Sequence, residues 1–165
     1  MFSMMKIITN IILTLLLALF VSCDNGGDCK INNVSYYRVK FYSINSETGL
    51  EQNTQFPDQI SVSLVVNGTD STVVNHVTDA TDLALPMSYT NSCDTVLIEF
   101  GSIEIDTLFV NHTNIPYFIS MDCGMGMYHD ITSVEKSGSL IDSVAVVYSH
   151  INFDRNENLK VYIAE

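Results

Sequence analysis

The stretch ISVSLVVNGTDSTVVNHV, Ile60–Val77, decides the fold class. Before Asn67-Gly68 the apolar residues Ile60, Val62, Leu64 and Val66 alternate against Ser61 and Ser63, the period-two pattern of a half-buried strand. After it comes TDSTVVNHV, again rich in β-branched residues. A type I′ turn needs positive φ at both central residues, which Asn and Gly tolerate best. Asn67-Gly68 between two such runs therefore predicts a tight hairpin.

Working outward, the same periodicity recurs. In SYYRVKFYSI, Tyr37, Val39 and Phe41 share one face while Arg38 and Lys40 share the other. In TVLIEF, Val96, Ile98 and Phe100 share a face. Gly101-Ser102 offers a turn, and IEIDTLFV then sets Ile103, Ile105 and Phe109 opposite Glu104 and Asp106. IPYFISM reads as the next strand, with Pro116 at its entrance, where a missing N–H is tolerated. MYHDITSV, a turn at Lys136-Ser137-Gly138-Ser139, the strand IDSVAVVYSHI, the polar loop FDRNEN and LKVYIA complete the pattern. No window carries a helical stripe of competing length. Eight or nine short strands separated by turn signals predict an all-β fold, a single antiparallel β-sandwich of immunoglobulin-like or related Greek-key type. The chain contains no Trp, which argues against an antibody-type core.

The N-terminus follows other rules. MFSMMKIITNIILTLLLALFVS has one charge at Lys6, an apolar run from Ile7 to Val21 and the small residue Ser22 before Cys23, the layout of a signal peptide. The run is interrupted by Thr9, Asn10 and Thr14 and falls short of the roughly 20 apolar residues of a membrane span. An apolar segment, a small residue and then Cys is also the order of a bacterial lipobox. Cys23 is thus the expected site of lipidation, and Phe20 replaces the usual Leu three residues before it. The expected organisation is a lipoprotein signal peptide over 1–22, the lipidated Cys and a flexible acidic tether over 23–34, and the β-sandwich over 35–165. Cleavage leaves 143 residues, enough for one domain that buries roughly 70% of its unfolded surface.

The charge excludes one class of partner. Nineteen acidic residues face seven basic ones, for a net charge of −12, and removal of Lys6 with the leader makes the chain more acidic still. Nucleic acid is not expected as a partner, because phosphate contacts require Lys and Arg.

Four cysteines occur, Cys23, Cys29, Cys93 and Cys123. With Cys23 lipidated, three remain in an exported and therefore disulfide-permissive setting, giving one pair and one leftover thiol. Spacing alone leaves three possible pairs. A Cys29–Cys123 bridge would fasten the end of the tether to the sheet and, in the chain-entropy account, contribute about 4.5 kcal/mol. His76, His112, His129 and His150 are scattered, with no metal-ligand spacing, and read as half-exposed strand or loop residues. Tyr128-His129-Asp130 sets an imidazole beside a carboxylate, but neighbours in a strand point to opposite faces. From Asp154, DRNENLKVYIAE imitates a calcium loop ending at Glu165. Leu159 takes the place of its turn glycine, and the second half alternates like a strand. Asp70, Asp79 and Asp82 read as solvated loop acids. No nucleophile elbow, phosphate loop or dinucleotide fingerprint is present, so no catalytic residue, metal site or cofactor is expected.

The order of lipobox Cys, acidic tether, second Cys, aromatic strand YYRVKFY, Leu-Pro segment LALPM, IDTLFV, an aromatic strand ending in Cys-Gly and a closing Ile-Asp-Ser-Val resembles a family of small uncharacterised Bacteroidetes-type lipoproteins. The resemblance covers most of the mature chain. It implies an all-β fold, no assigned activity, Cys29 and Cys123 as the paired positions and Cys93 as a variable extra. In that group acids directly after the lipidated Cys mark surface export. Here Asp24 and Asp28 are separated by Asn-Gly-Gly, which leaves the periplasmic and cell-surface faces both open. The functional expectation is an outer-membrane lipoprotein, held through its acyl anchor, acting as a non-enzymatic binding or accessory module for a protein or glycan partner. The alternatives are a metal-assisted hydrolase using loop acids with His129 or His150, and a purely structural envelope protein.

Overall fold

The computed structural model describes residue 6 and residues 34–55, 59–101 and 104–164. From residue 34 onward the described residues form strands and turns, with no helix. In chain order the strands are β1 (Tyr36–Ile44), β2 (Glu51–Asn53), β3 (Ile60–Val66), β4 (Thr69–Val77), β5 (Asp82–Pro86), β6 (Cys93–Phe100), β7 (Glu104–Ser120), β8 (Gly124–Ser137), β9 (Ile141–Val146), β10 (His150–Ile151) and β11 (Leu159–Ile163).

They make two sheets. One has the order β2-β1-β11-β9, with β5 also paired to β1, and the other runs β10-β8-β7-β6-β3-β4. The chain passes back and forth between the sheets, so side chains from both inner faces meet in one core. Tyr37, Val39 and Phe41 of β1, Leu85 of β5 and Leu159 and Val161 of β11 face Ile60, Val62, Val96, Ile98, Leu108 and Val110 of the second sheet. An edge-to-face contact between Phe41 and Phe100, centroids 6.3 Å apart, links the two layers. The expected all-β sandwich is the fold.

The hairpin at Asn67-Gly68 forms as its chemistry dictates, with φ of 52° and 76° at the two turn residues and β3 paired to β4 in antiparallel register. Three expectations need correction. The sandwich is not antiparallel throughout, since β1 and β11 run parallel. The part of IEIDTLFV from Glu104 onward and IPYFIS are one strand, β7, so Pro116 lies inside it opposite Met127. The phase of β7 is also the reverse of that read from its isoleucines: Ile105 is 60% exposed and Asp106 only 1%. The carboxylate decides this. Asp106 accepts hydrogen bonds from the backbone N–H groups of Ser139 at 3.2 Å and Ile141 at 2.6 Å, satisfying the turn between β8 and β9. A buried carboxylate is tolerated only when hydrogen-bonded in this way. With Asp106 inward, Leu108, Val110 and His112 follow it into the core.

β7 and β8 outrun their neighbours. β6 pairs with β7 only as far as Asn111, and β10 covers β8 only at His129 and Asp130. Residues 115–128 therefore continue as a two-stranded ribbon whose turn carries Met121, Asp122 and Cys123. A lone hairpin is marginal in water, and aromatic packing supports this one. Tyr117 and Tyr128 stack at 3.9 Å and 8°, and Phe153, from the loop after β10, packs edge-on against both. Gly126 lies opposite Tyr117, and a Cβ there would fall 2.6 Å from the Tyr117 ring.

Candidate functional site: an arginine cleft beside the ribbon

The chain has two arginines, Arg38 and Arg155, 117 positions apart. The fold brings both to one cleft of about 430 Å³, with Val34, Tyr36 and Ala84 from the N-terminal side and Asn152, Phe153 and Asp154 from the loop after β10. That volume falls within the range of small-ligand sites.

Each wall has a local cause. On β1, Tyr37 and Val39 are buried, so alternation turns Tyr36 and Arg38 outward. Arg38 is then clamped by Asn158. Its N–H donates to Asn158 Oδ1 at 2.8 Å, its carbonyl accepts from the Asn158 N–H at 3.0 Å, and Asn158 Nδ2 donates onward to the Tyr148 carbonyl. This explains the calcium-like pattern: Asn158 is a buried staple between strands, and Glu165 lies outside the described residues. The opposite wall is an Asx turn. Asn152 Oδ1 accepts from the Asp154 N–H at 2.7 Å while Asn152 Nδ2 donates to the Asp154 carboxylate at 3.0 Å. Phe153 and Arg155 project from that turn.

The electrostatics leave cationic donors available. Asp82, read from the sequence as a solvated acid, takes one edge of the Arg38 guanidinium at 3.1 Å, but a guanidinium has five N–H donors in a fork. Asp154 is occupied by Asn152. Among the described residues Arg155 makes no ion pair and no side-chain hydrogen bond. The cleft thus offers planar cationic donors beside the half-open rings of Tyr36 and Phe153. Such donors match a carboxylate or phosphate, with an aromatic face alongside.

Two of the four histidines depart from expectation. His112 and His129 are not half-exposed: they are buried and meet edge-to-face at 5.4 Å. Asn114 Nδ2 donates to the Asn91 carbonyl at 2.9 Å, which turns Oδ1 toward both imidazoles. Oδ1 then accepts from Nδ1–H of His112 at 2.9 Å and of His129 at 2.8 Å. Asp94 Oδ2 lies 3.2 Å from His112 Nε2 and also accepts from the Ser88 N–H. Burial, and secondarily the neighbouring His112, pushes the His129 imidazole down to about 4. His112 and His129 are closed off from solvent, and His129 Nε2 has no hydrogen-bond partner among the described residues. His150 sits at the surface, 2.6 Å from Asp130, on the side of β8 opposite His129, as alternation requires. His76 is exposed beside Ser61. Among the described residues no group of three or more His, Cys, Asp or Glu is placed to hold a metal.

Of the cysteines, Cys93 is a free, half-buried thiol whose pKa burial pushes up, with Asp94 adding to the effect. Cys123 stands at the ribbon turn, its N–H bonded to Ser120 Oγ, and is not free. Cys23 and Cys29 lie outside the described residues, so lipidation and the Cys29–Cys123 pairing are expectations the structure does not reach. The profile of a family of unknown function, DUF6452, matches residues 59–163. The chain belongs to that family. No match was found among curated proteins or among solved structures. The part matched to DUF6452 runs from just before β3 through β11 and so contains Arg155 and the buried histidines, while Arg38 lies before it. Sequence reasoning missed the cleft because Arg38 read as the polar face of a strand and Arg155 as part of a polar loop. The available signal was scarcity: two arginines in an acidic chain.

Proposed function

We propose that this chain is a lipid-anchored cell-envelope protein of Bacteroidetes-type bacteria, a non-enzymatic binding module whose arginine cleft captures the acidic group of a glycan. The carrying observation is the convergence of both arginines on one aromatic-edged cleft in a chain of net charge −12. Without a specific anion to hold, scattering two guanidinium groups among nineteen acids would be the ordinary outcome. The lipobox layout LFVSC at Leu19–Cys23 supports outer-membrane anchoring through Cys23. A Cys29–Cys123 bridge is supported by the cysteine count: with Cys23 lipidated and Cys93 free, Cys29 is the partner left for Cys123.

Two measurements test this. Intact mass of the native protein reads loss of residues 1–22, acyl chains on Cys23 and the two hydrogens removed by a disulfide. An array of neutral, uronate-bearing and phosphate-bearing glycans reads the cleft. Binding restricted to the acidic members and lost in Arg155→Ala is the expected result. Binding to neutral members alone would overturn the proposal.

A further inference from the structure

The ribbon at the end of β7 and β8 exposes apolar side chains where a soluble domain ordinarily hides them. Phe118 and Met125 are cross-strand partners, 59% and 60% exposed, and Met121 at the turn is 90% exposed. Residues 115–128 carry one charge, Asp122, and hold three of the four methionines that follow the leader. Unbranched, polarizable methionine packs against irregular and fluid surfaces, and tyrosines such as Tyr117 and Tyr128 behind the tip suit a boundary between apolar and wet layers.

Position says what covers the tip. Ser35, at the start of the described domain, donates its hydroxyl to the Met127 carbonyl at 2.7 Å, so the chain enters the fold alongside the ribbon. Val34 lies only eleven positions after Cys23, which limits the distance from anchor to ribbon to about 40 Å when fully extended. Charge agrees. The body is acidic and would be repelled by anionic headgroups, yet both arginines open at this same end, beside the Phe153 that packs on the ribbon.

We infer that the ribbon tip, Phe118, Met121 and Met125, rests in the interfacial layer of the lipid surface that holds the N-terminus, fixing the orientation of the domain on the membrane. This rests on the anchored reading given above. The occupant is a lipid bilayer; a second copy of the chain or another protein would give a different outcome in the test.

The chain has no Trp, so a single Met121→Trp substitution makes a unique reporter at the tip, and Val73→Trp on the outer strand β4 makes its control. Full-length protein carrying each substitution is reconstituted into phosphatidylcholine vesicles with and without brominated acyl chains, after intact mass has established its N-terminus. The expected result is co-flotation of both variants, with Met121→Trp emission quenched at least twofold by brominated lipid and Val73→Trp emission unchanged. Co-flotation with unquenched Met121→Trp emission overturns the ribbon inference and leaves the anchor standing. A blue shift that brominated lipid does not quench means that protein covers the tip, and also overturns it. Failure to co-float removes the anchor reading and the ribbon inference together. Met121→Asp with Met125→Asp supplies a second readout: at such exposure the thermal midpoint is expected to stay put, while quenching of a Phe118→Trp reporter in that background falls at least twofold.

Discussion

Within a few residues of the same two strands, β7 and β8 change from burying polar groups to exposing apolar ones. At His112 and His129 two imidazoles are enclosed beside the half-buried amide of Asn114, whereas at Phe118, Met121 and Met125 apolar side chains face outward. The first region is held together by hydrogen bonds that have no substitute once water is excluded. The second is held by ring stacking beside Gly126 and leaves its apolar side chains exposed. Mutations should hurt stability in the first region and leave it nearly untouched at the tip of the second.

The largest break should come at Asn114. Asn114→Leu removes the acceptor shared by both imidazoles and leaves two buried N–H groups unpaired, a loss of about 3–5 kcal/mol read by urea denaturation. Gly126→Ala comes next. The new Cβ would push the Tyr117 ring off Tyr128, costing about 1–3 kcal/mol as an overpacking change. Hydrogen exchange should place that loss in residues 115–128 and spare the sheets.

Acid should separate the regions without any mutation. The His129 pKa is lowered in the folded state, to about 4 from 6.5, so below pH 6.5 the unfolded chain binds the extra proton more readily. The stability this provides is fully present above pH 6.5 and is lost as pH falls toward 4. The expected size is about 3 kcal/mol, seen as a falling urea midpoint across that window, and the groups packed around the ring are His112, Asp94 and Tyr89. The smallest effect is expected for Asp82→Asn. Its pair with Arg38 is partly exposed and contributes under about 0.5 kcal/mol, yet its removal frees Arg38 and should raise affinity for an acidic ligand.

Much of the sandwich was legible because a strand with one buried face writes its period into the sequence. Tyr37, Val39 and Phe41, the Asn67-Gly68 turn, and Val96, Ile98 and Phe100 all occupy the positions that alternation predicts. Legibility failed where a polar group was the inward one. Asp106 faces the core because two turn amides need its carboxylate, a condition set by residues more than thirty positions away. His112 and His129 meet through strand pairing and a shared amide, neither of which leaves a local pattern. The short strands β2 and β10 exist because longer partners offer them an edge, not because their own sequences alternate. The arginine cleft was hidden for the same reason: proximity between β1 and the loop after β10 is a product of topology.

The central claim is that the working end of this domain reads negative charge through the arginine cleft. Calorimetric titration with a glucuronate-bearing oligosaccharide, and with the same oligosaccharide as its methyl ester, tests it on the wild-type protein and on Arg155→Ala. The account predicts that the wild type binds the acid at least tenfold more tightly than the ester and that Arg155→Ala loses this preference. Equal affinity for acid and ester, or an acid preference that survives in Arg155→Ala, would contradict it.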